Sequence, residues 1–509
     1  MNIKCMTPKI IKISAKDNVG IAINTLEKGS EFLPALYTQS LIPQGHKVSI
    51  KDLKKDDSIY RYGVEIGKLL VDAPAGTWID ENMISLPVAP DLNTLEYLSD
   101  GRFDFPTPSR VTFDGYKVDG CTYAGTRNIL GITSTVQCVS GVLNVAVEKI
   151  KRELLPKYPH VDDVVSLEHS YGCGVAINAT DADIPIRSIR NLIKNPNFGG
   201  EIMVVCLGCE KLTIDKLLAE NDINSNNVIV LQECSGYKQM IKAVMDMAQH
   251  KLAILDKRRR QTLPLSQLCI GLQCGGSDAF SGITANPATG YASDLLVKAG
   301  ATVLFSEVTE VRDGVEKIAH RCTNSKTIHK LSREMKWYDA YLSRSNVDRN
   351  ANPTPGNKKG GLCNIVEKAM GSIAKSGTSP IVEVLSPGEI PTKSGMIFAA
   401  TPASDFVCGT EQLASGITLQ VFMTGRGTPY GLAVAPVIKV CSRNDLNDFW
   451  SDLIDINAGT IATGEQSIKD VGFDIYNLIL DVASGKKKPW AEEYKLENSL
   501  CIFNPAPIT

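Results

Sequence analysis

The chain has 509 residues, of which 43% are hydrophobic and 22% charged, and its net charge is −2. This length predicts two to four domains, and the near-neutral charge gives no reason to expect a nucleic-acid or anionic-membrane partner. The sequence has no uncharged apolar run of the ~18 residues that a membrane span needs, and its start does not resemble a signal peptide. We therefore expect a cytoplasmic protein whose cysteines stay reduced.

Residues 1–87 predict a small all-β domain. Short β-branched runs, such as those at 19–23 and 47–50, alternate with glycine, proline and aspartate, which is the pattern of strands and turns. Residues 88–113 place several prolines among polar residues, and this composition predicts an extended linker.

Residues 114–261 and 262–509 predict two α/β domains, so the chain as a whole is a multidomain α/β protein. Apolar residues recur at helical spacing over 142–154. The basic segment 257–260 is interpreted as a solvated connection between the two domains. In the last domain, candidate strands alternate with helical stretches, which predicts a mostly parallel sheet covered on both faces. These strands are expected at 268–272, 302–305, 381–385, 396–399, 418–422 and 437–440.

Three glycine-rich loops follow short apolar runs, at 168–174, 208–211 and 273–282. A parallel strand that ends in such a loop carries its side chains to the carboxyl edge of the sheet, where α/β proteins bind ligands. The loop cysteines are therefore candidate ligands: Cys173, Cys209 and Cys274. Most other cysteines are interpreted as small core residues, namely Cys5, Cys138, Cys269, Cys322, Cys441 and Cys501.

The loop at 273–282 predicts a metal site. It carries Cys274 and Asp278, and Glu307 comes just after the next predicted strand. Thiolate and carboxylate ligands suit a borderline metal such as Fe(II). We predict these three residues as metal ligands, with His169 and Cys173 as a second candidate cluster. A hydrogen-bonded histidine packed under a loop is the alternative for His169.

Two other kinds of cysteine chemistry stay open. Cys173, Cys209 and Cys274 together could hold an iron–sulfur cluster. Cys206 and Cys209 form a C-x-x-C pair, which could be a redox dithiol, although Cys206 is more simply a core strand residue.

Cationic and acid–base candidates lie in other glycine-containing turns. Arg426 stands between two glycines, and Lys358 and Lys359 precede a glycine pair. Neither segment fits the phosphate-binding P-loop, so we do not expect a nucleotide phosphate. Two cationic loops would suit a substrate with a carboxylate at each end, and ordinary surface lysine and arginine side chains are the alternative. His46 and Lys47 follow proline and glycine in the first domain and are acid–base candidates. A surface turn histidine is the alternative for His46.

These segments resemble the altronate/galactarate dehydratase family from one end of the chain to the other. The resemblance is strongest where glycines, cysteines and acids recur together in long runs. It covers 42–48, 171–178, 195–211, 273–294, 305–312, 352–375, 401–410, 424–431, 455–464 and 503–509.

The resemblance implies a β-clip (SAF-like) N-terminal domain, a linker, a central dimerisation domain and a Rossmann-like C-terminal domain that holds a metal. It also implies a homodimeric hydro-lyase, activated by Fe(II), that converts galactarate to 5-dehydro-4-deoxy-D-glucarate. Altronate dehydratases of the family have a histidine-rich stretch where residues 76–80 read Gly-Thr-Trp-Ile-Asp, which favours the diacid. Altronate or another sugar acid as substrate, and a non-catalytic sugar-acid binding protein, are the alternatives.

Dehydration of such an acid begins with removal of a proton next to a carboxylate. The enediolate that forms needs a metal and cationic side chains to stabilise its charge, and the departing hydroxyl needs a proton donor. We predict His46, Lys47 and His169 as catalytic residues. Arg426, with Lys358 and Lys359, is predicted to bind the substrate.

Overall fold

The computed structural model describes residues 8–507. Cys5 and the outer ends of the first and last predicted domains lie outside these described residues. Within 8–507, every helix is too short or too polar to cross a membrane.

The first domain consists of short antiparallel strands, as its turn-rich sequence predicts. They form a four-stranded sheet, a three-stranded sheet and a hairpin. Part of its core is shared, because Ile59, Ile66 and Leu69 pack with Cys363 and Val366 of the last domain. The strands are β1 (Ile10–Ile11), β2 (Val19–Ala22), β3 (Glu31–Leu33), β4 (Leu36–Tyr37), β5 (Lys47–Ser49), β6 (Ser58–Arg61), β7 (Val64–Leu69), β8 (Trp78–Ile79) and β9 (Ile84–Ser85).

Residues 86–111 form neither helix nor strand and lie along the last domain. Leu92 is buried in the core of that domain. Its carbonyl accepts a hydrogen bond from the Ser332 hydroxyl, and the carbonyl of Pro90 accepts one from Arg312. Hydrogen bonds of this kind pair the backbone carbonyls of an extended segment that belongs to no sheet, and they hold the segment in place.

The central part of the chain contains a parallel four-stranded sheet in the order β12-β11-β13-β14. The predicted helix at 142–154 is present, and it buries Leu143, Val147 and Ile150 on one face. The strands are β10 (Thr112–Gly115), β11 (Ile129–Ser134), β12 (Asp163–Leu167), β13 (Val204–Cys206), β14 (Val228–Val230) and β15 (Gln261–Pro264), and the helices are α1 (Ser140–Glu153), α2 (Asp183–Leu192) and α3 (Tyr237–Leu255).

The last domain has a parallel seven-stranded sheet in the order β18-β19-β17-β16-β20-β21-β22. Each of the six predicted strands is found within two residues of its expected bounds, because fully buried strands are continuous apolar runs. The strands are β16 (Cys269–Cys274), β17 (Thr302–Phe305), β18 (Ile381–Leu385), β19 (Met396–Ala399), β20 (Leu419–Thr424), β21 (Val437–Cys441) and β22 (Ile456–Asn457).

Helices cover both sides of this sheet and connect its strands. Their packing buries one face of the strands in a large core and the other face in a second cluster that is shared with the central domain. The helices are α4 (Ala285–Lys298), α5 (Thr309–Arg312), α6 (Val315–Ala319), α7 (Ser325–Ser343), α8 (Pro355–Lys359), α9 (Ile365–Ile373), α10 (Asp405–Ala414), α11 (Asn444–Phe449), α12 (Thr460–Thr463), α13 (Ile468–Ala483) and α14 (Trp490–Glu493).

Two interpretations made from the sequence were wrong. Cys138 and Cys501 are exposed rather than core residues, whereas Cys269, Cys322 and Cys441 are buried as expected. The exposed pair lie outside the regular strands, where an apolar neighbourhood in sequence does not ensure burial.

The prediction that the basic segment at 257–260 is a solvated connection was also wrong, because two of its arginines pack against other residues. The guanidinium groups of Arg258 and Arg260 lie over the ring of Tyr116, at 5.1 and 4.7 Å from its centroid. Arg260 also donates to the carbonyl of Ala483 at 2.9 Å. Arg260 therefore fastens the central domain to the last one, whereas Arg258 packs within the central domain.

Candidate functional site

A buried group of three potential metal ligands lies at the carboxyl edge of the seven-stranded sheet. Cys274 ends β16, Glu307 follows the adjacent strand β17, and Glu310 lies in α5. One ligand atom of each residue, the Sγ or a carboxylate oxygen, lies within 4.8 Å of the others. The pairing of β16 with β17 brings Cys274 and Glu307 together, as their positions in the sequence predict. Glu310 was missed, although its spacing of three from Glu307 at a helix start was a usable signal.

The backbone at Glu307 has an unusual conformation. Its φ angle is +77°, which is uncommon for a residue other than glycine. Its N–H donates to the Thr401 hydroxyl at 3.2 Å, so the loop after β19 holds it in place. Strained backbone of this kind concentrates at functional sites, where the surrounding structure maintains it.

Two buried lysines accompany the group. The Lys375 ammonium lies 3.1 Å from the Sγ of Cys274 and 2.8 Å from Oε2 of Glu307. The Lys368 ammonium lies 2.7 Å from Oε1 of Glu310. Each carboxylate thus has one ammonium partner, which offsets the cost of burying its charge. Helix α9 and the turn after it supply both lysines, neither of which was predicted from the sequence.

Burial and these charges set the protonation of the group. Burial raises the pKa of the Cys274 thiol to about 12, against the opposing effect of Lys375. Burial and the charge of Glu310 also raise the pKa of Glu307. For Glu310, burial is outweighed by Lys368 and Lys375, which together lower its pKa. One thiol and two carboxylates form a donor set that fits a borderline divalent metal, which would displace the thiol proton on binding.

Asp405 lies beside this group at the start of α10. Gln273 Nε2 donates to its Oδ1 at 3.2 Å. A Cβ added at Gly275 would lie 2.5 Å from its Oδ2, so the carboxylate packs directly against the residue after Cys274. Burial, with the charge of Glu310, raises the pKa of Asp405 to about 6. The sequence offered no signal for Asp405, because it comes from a helix that starts 132 residues after Gln273.

The predicted ligand Asp278 has other partners. Its Oδ1 accepts from the Ser281 amide at 2.9 Å and from the Ser442 hydroxyl at 3.0 Å. Its Oδ2 forms an ion pair with Arg443 at 3.0 Å. The carboxylate thus joins the loop after β16 to the loop after β21. It does not belong to the group at Cys274, and a ligand role for it stays a prediction.

The predicted substrate-binding cations lie around the same edge of the sheet. Arg426 is exposed. A Cβ atom added at Gly276 would lie 3.3 Å from the Cβ of Arg426, so the loop of Arg426 contacts the loop of Cys274. Lys358 and Lys359, at the end of α8, line a cavity of about 620 Å³ together with His46.

His46 has a defined tautomer in this cavity. Trp78 Nε1 donates to His46 Nδ1 at 3.1 Å, so the ring proton is on Nε2, which faces the Lys359 carbonyl at 3.2 Å. Burial lowers the pKa of His46, which favours the neutral ring. The histidine and the two lysines are therefore together, as a shared site would require.

Lys47 is in a different environment. It is fully buried, and its ammonium lies 2.6 Å from the Gly361 carbonyl and 3.0 Å from both carboxylate oxygens of Glu367. Arg61 pairs with the same carboxylate. Lys47 thus ties the first domain to the last one, and a catalytic role for it stays a prediction.

Lys368 connects the metal-ligand group with the cavity. Its ammonium pairs with Glu310 and lies 3.3 Å from Oδ1 of Asn357, a residue of α8. The turn at the end of α8 carries Lys358 and Lys359. The two candidate sites are therefore separated by one short helix.

His169 and Cys173 lie elsewhere, at the carboxyl edge of the central sheet. The ring nitrogens of His169 face the carbonyls of Ser134 at 2.8 Å and Tyr171 at 3.2 Å, and its pKa is lowered by burial. Cys173 is exposed on the loop that follows. The structure thus places them on a different sheet from Cys274.

Family models match the chain in three consecutive segments. Residues 8–87 match the altronate/galactarate dehydratase SAF domain. Residues 115–256 match the second domain of D-galactarate dehydratase/altronate hydrolase, and residues 265–508 match the C-terminal domain of D-galactarate/altronate dehydratase.

Relatives from several bacteria align over most of their length. Galactarate dehydratase (L-threo-forming) of Escherichia coli K12 is 54% identical over 98% of this chain and 97% of its own. Altronate dehydratase of Bacillus subtilis 168 is 33% identical over 94% and 95%. The beta subunit of (2R)-sulfolactate sulfo-lyase from Chromohalobacter salexigens is 28% identical over 74% and 93%. The chain therefore belongs to the galactarate/altronate dehydratase family.

Proposed function

We propose that this protein is a hydro-lyase that dehydrates galactarate to 5-dehydro-4-deoxy-D-glucarate. The observation that carries the proposal is the buried group of Cys274, Glu307 and Glu310 with its two lysines. The 54% identity to a galactarate dehydratase supports the same substrate.

The arrangement suits removal of a proton next to a carboxylate. A divalent ion, which we propose is Fe(II), would be held by Cys274, Glu307 and Glu310 and would stabilise negative charge on the substrate. Lys375 and Lys368 add positive charge at the same place, in a site from which water is largely excluded. Asp405, which is half-buried beside the group, is a carboxylate whose pKa is raised to about 6 by burial, so it can hold a proton near neutral pH.

The cavity beside α8 suits the rest of the substrate. His46 lines this cavity, and in its imidazolium form it could give the Nε2 proton to the departing hydroxyl and return to the neutral ring. Lys358, Lys359 and Arg426 would bind the distal carboxylate. For Lys47 and His169, whose polar atoms are engaged by buried partners, positioning is the role that the contacts favour.

Four further properties belong to this proposal. They are a Rossmann-like architecture for the last domain, a homodimer formed through the central domain, iron as the native metal and a cytoplasmic location. The parallel sheet of the last domain and the metal-ligand group support the first and third of these.

The experiment is anaerobic. Purified protein is incubated with galactarate, with and without Fe(II) and a thiol reductant, and formation of the 2-keto acid is followed. Iron-dependent product is expected, and chelation should abolish it. Activity that survives chelation would favour a dithiol oxidoreductase, and iron binding without turnover would favour a sugar-acid binding protein.

Altronate is the second candidate substrate. The 33% identity to an altronate dehydratase favours it, whereas the lack of histidine in the segment 76–80 favours the diacid. Turnover of altronate or glucarate but not galactarate would keep the reaction class and change the substrate.

A further inference from the structure

Three exposed thiols lie at the carboxyl edge of the central sheet. Cys138 follows β11, Cys173 follows β12 and Cys209 follows β13, and these are three adjacent parallel strands. Neighbouring strands of a sheet are about 4.8 Å apart, so their ends deliver the three loops to one place.

Contacts between the loops join the segments that carry the cysteines. A Cβ on Gly172 would lie 2.1 Å from the carbonyl oxygen of Thr135, so the loop of Cys173 rests on the segment that leads to Cys138. The Gly172 carbonyl accepts a hydrogen bond from the Lys211 amide at 3.2 Å. The Thr135 hydroxyl is hydrogen-bonded to Glu210, the neighbour of Cys209. Each cysteine is thus within three residues, along the chain, of a residue that contacts a neighbouring loop.

The loops are shaped by glycines and held by hydrogen bonds. Gly172 and Gly208, which precede Cys173 and Cys209, have φ angles of +110° and +120°, where a side chain would be strained. Glu210 accepts from the amides of Leu207 at 3.1 Å and Gly208 at 2.6 Å. The Cys209 loop is therefore a fixed turn and not a loose connection.

Two polar atoms beside these loops, the hydroxyls of Ser140 and Tyr171, are buried without a hydrogen-bond partner among the described residues. The Ser140 hydroxyl, two residues after Cys138 at the start of α1, makes no hydrogen bond to any described residue. Buried polar atoms are nearly always paired, so an orphan here is consistent with a bound group that accepts its hydrogen bond.

Three thiols on adjacent loops are the type of ligand that holds an iron–sulfur cluster. Within residues 8–507, the group at Cys274 is where three His, Cys, Asp or Glu ligand atoms come within 4.8 Å of one another, so the three thiols at the central sheet do not meet that criterion. In a four-iron cluster each cysteine binds a different iron, so its thiolates need not lie as close together as the ligands of one ion.

We propose that Cys138, Cys173 and Cys209 hold an iron–sulfur cluster. Each thiol loses its proton when it binds an iron. Because the site has three thiolates, one iron of a four-iron cluster has no cysteine ligand and can bind an oxygen of a small molecule. The cluster is a second iron centre, on a different sheet from the group at Cys274.

Two other cysteines lie near this edge of the sheet, but we do not assign them as cluster ligands. Cys206 is buried within β13, and burial raises its pKa to about 11, which disfavours a dithiol with Cys209. Cys234 follows β14, and its thiol donates back to the Val230 carbonyl of its own strand at 3.8 Å.

The test is anaerobic reconstitution of the full chain with Fe(II), sulfide and a thiol reductant, without substrate. Iron content, acid-labile sulfide and visible absorption are then measured. The wild type should bind on the order of four irons with equivalent sulfide. Cys138→Ser, Cys173→Ser and Cys209→Ser should each lose most of the absorption. Cys121→Ser, which changes an exposed thiol elsewhere in the same domain, should keep it.

Cys274→Ser separates this inference from the proposed function. It should keep the cluster, since Cys274 lies on the other sheet. Iron bound without sulfide in the wild type, or full absorption in the three serine variants, would overturn the inference. Circular dichroism checks that each variant is folded. A cluster in a protein that turns over no sugar acid would leave the inference standing and remove the proposed function.

Discussion

At the scale of single residues, the metal-ligand group combines two carboxylates, a thiol and two ammonium groups in a buried space. Lys375 contacts both Cys274 and Glu307, and Lys368 contacts Glu310. The two positive charges balance the two carboxylates, and the thiol stays protonated because burial raises its pKa to about 12. A metal therefore has to compete with protons for Cys274, so its binding should strengthen as the pH rises.

Glu310→Gln and Cys274→Ser test the ligand assignment. Each removes one ligand, so Mn²⁺ or Co²⁺ affinity, measured by titration, should fall at least about tenfold. Cys322→Ser is the matched control, because its buried thiol donates to the Ile318 carbonyl and a hydroxyl can make the same bond. Unchanged metal affinity in both ligand variants would place the metal elsewhere.

His46→Ala tests the proposed proton donor. Loss of an acid–base group typically lowers the rate by ~10²–10⁴, so kcat should fall by that order while Tm changes little. Trp78→Phe should have a smaller effect, since it removes only the N–H that fixes the tautomer. His160→Ala, at an exposed position, is the control. Full activity of the His46 variant would exclude His46 from the mechanism.

At the scale of elements, the first domain is joined to the last by a buried ion-pair network. β5 supplies Lys47 and β6 supplies Arg61, and both pair with Glu367 of α9. Lys368, the next residue of α9, pairs with Glu310. The helix that receives the first domain thus also carries Lys368, the ion-pair partner of Glu310 in the metal-ligand group.

Glu367→Ala should destabilise the protein by about 3–5 kcal/mol, because it leaves two buried cations without their partner. Urea unfolding or Tm measures the change. Asp72→Ala is the control, since Asp72 pairs with Lys54 on the exposed surface of the same domain and surface pairs contribute little. Equal stability of the two variants would contradict a network that holds the domains together.

At the scale of the whole molecule, three distant parts of the chain meet at Glu411. Its carboxyl group, in α10, accepts from the Ser188 hydroxyl of α2 at 2.5 Å and from the Phe503 amide at 3.2 Å. The central domain, the last domain and the C-terminal segment are therefore joined through one buried acid. Burial raises its pKa to about 7.

This pKa makes the junction sensitive to pH. Between pH 4.5, the ordinary pKa of the group, and about pH 7, the folded protein holds a proton that the unfolded chain has lost. Stability therefore falls as the pH rises through this window, by about 3 kcal/mol from this group. The Glu411→Gln variant has no carboxyl group to titrate, so this fall in stability should be absent. The Tm of the variant minus the Tm of the wild type should therefore increase from pH 5 to pH 8. The same pH dependence in both proteins would contradict the assignment.

The elements of the last domain could be predicted from the sequence because their signals are local. A buried parallel strand is an apolar run, and glycine with a reactive side chain marks its end. Cys274 and Glu307 were found in this way, and their meeting follows from the pairing of β16 with β17. Membership of the dehydratase family was likewise readable from the sequence, and the comparisons confirmed it.

The partners of those residues depended on the tertiary structure. Lys375 lies 68 residues from Glu307, and Asp278 pairs with Arg443 from another strand end instead of joining Cys274. Cys138 had an apolar neighbourhood in sequence, yet it stands exposed beside the loops of Cys173 and Cys209. Local propensity determines which segments are strands and helices. Strand order and long-range packing determine which of their ends meet, and only the folded chain contains that information.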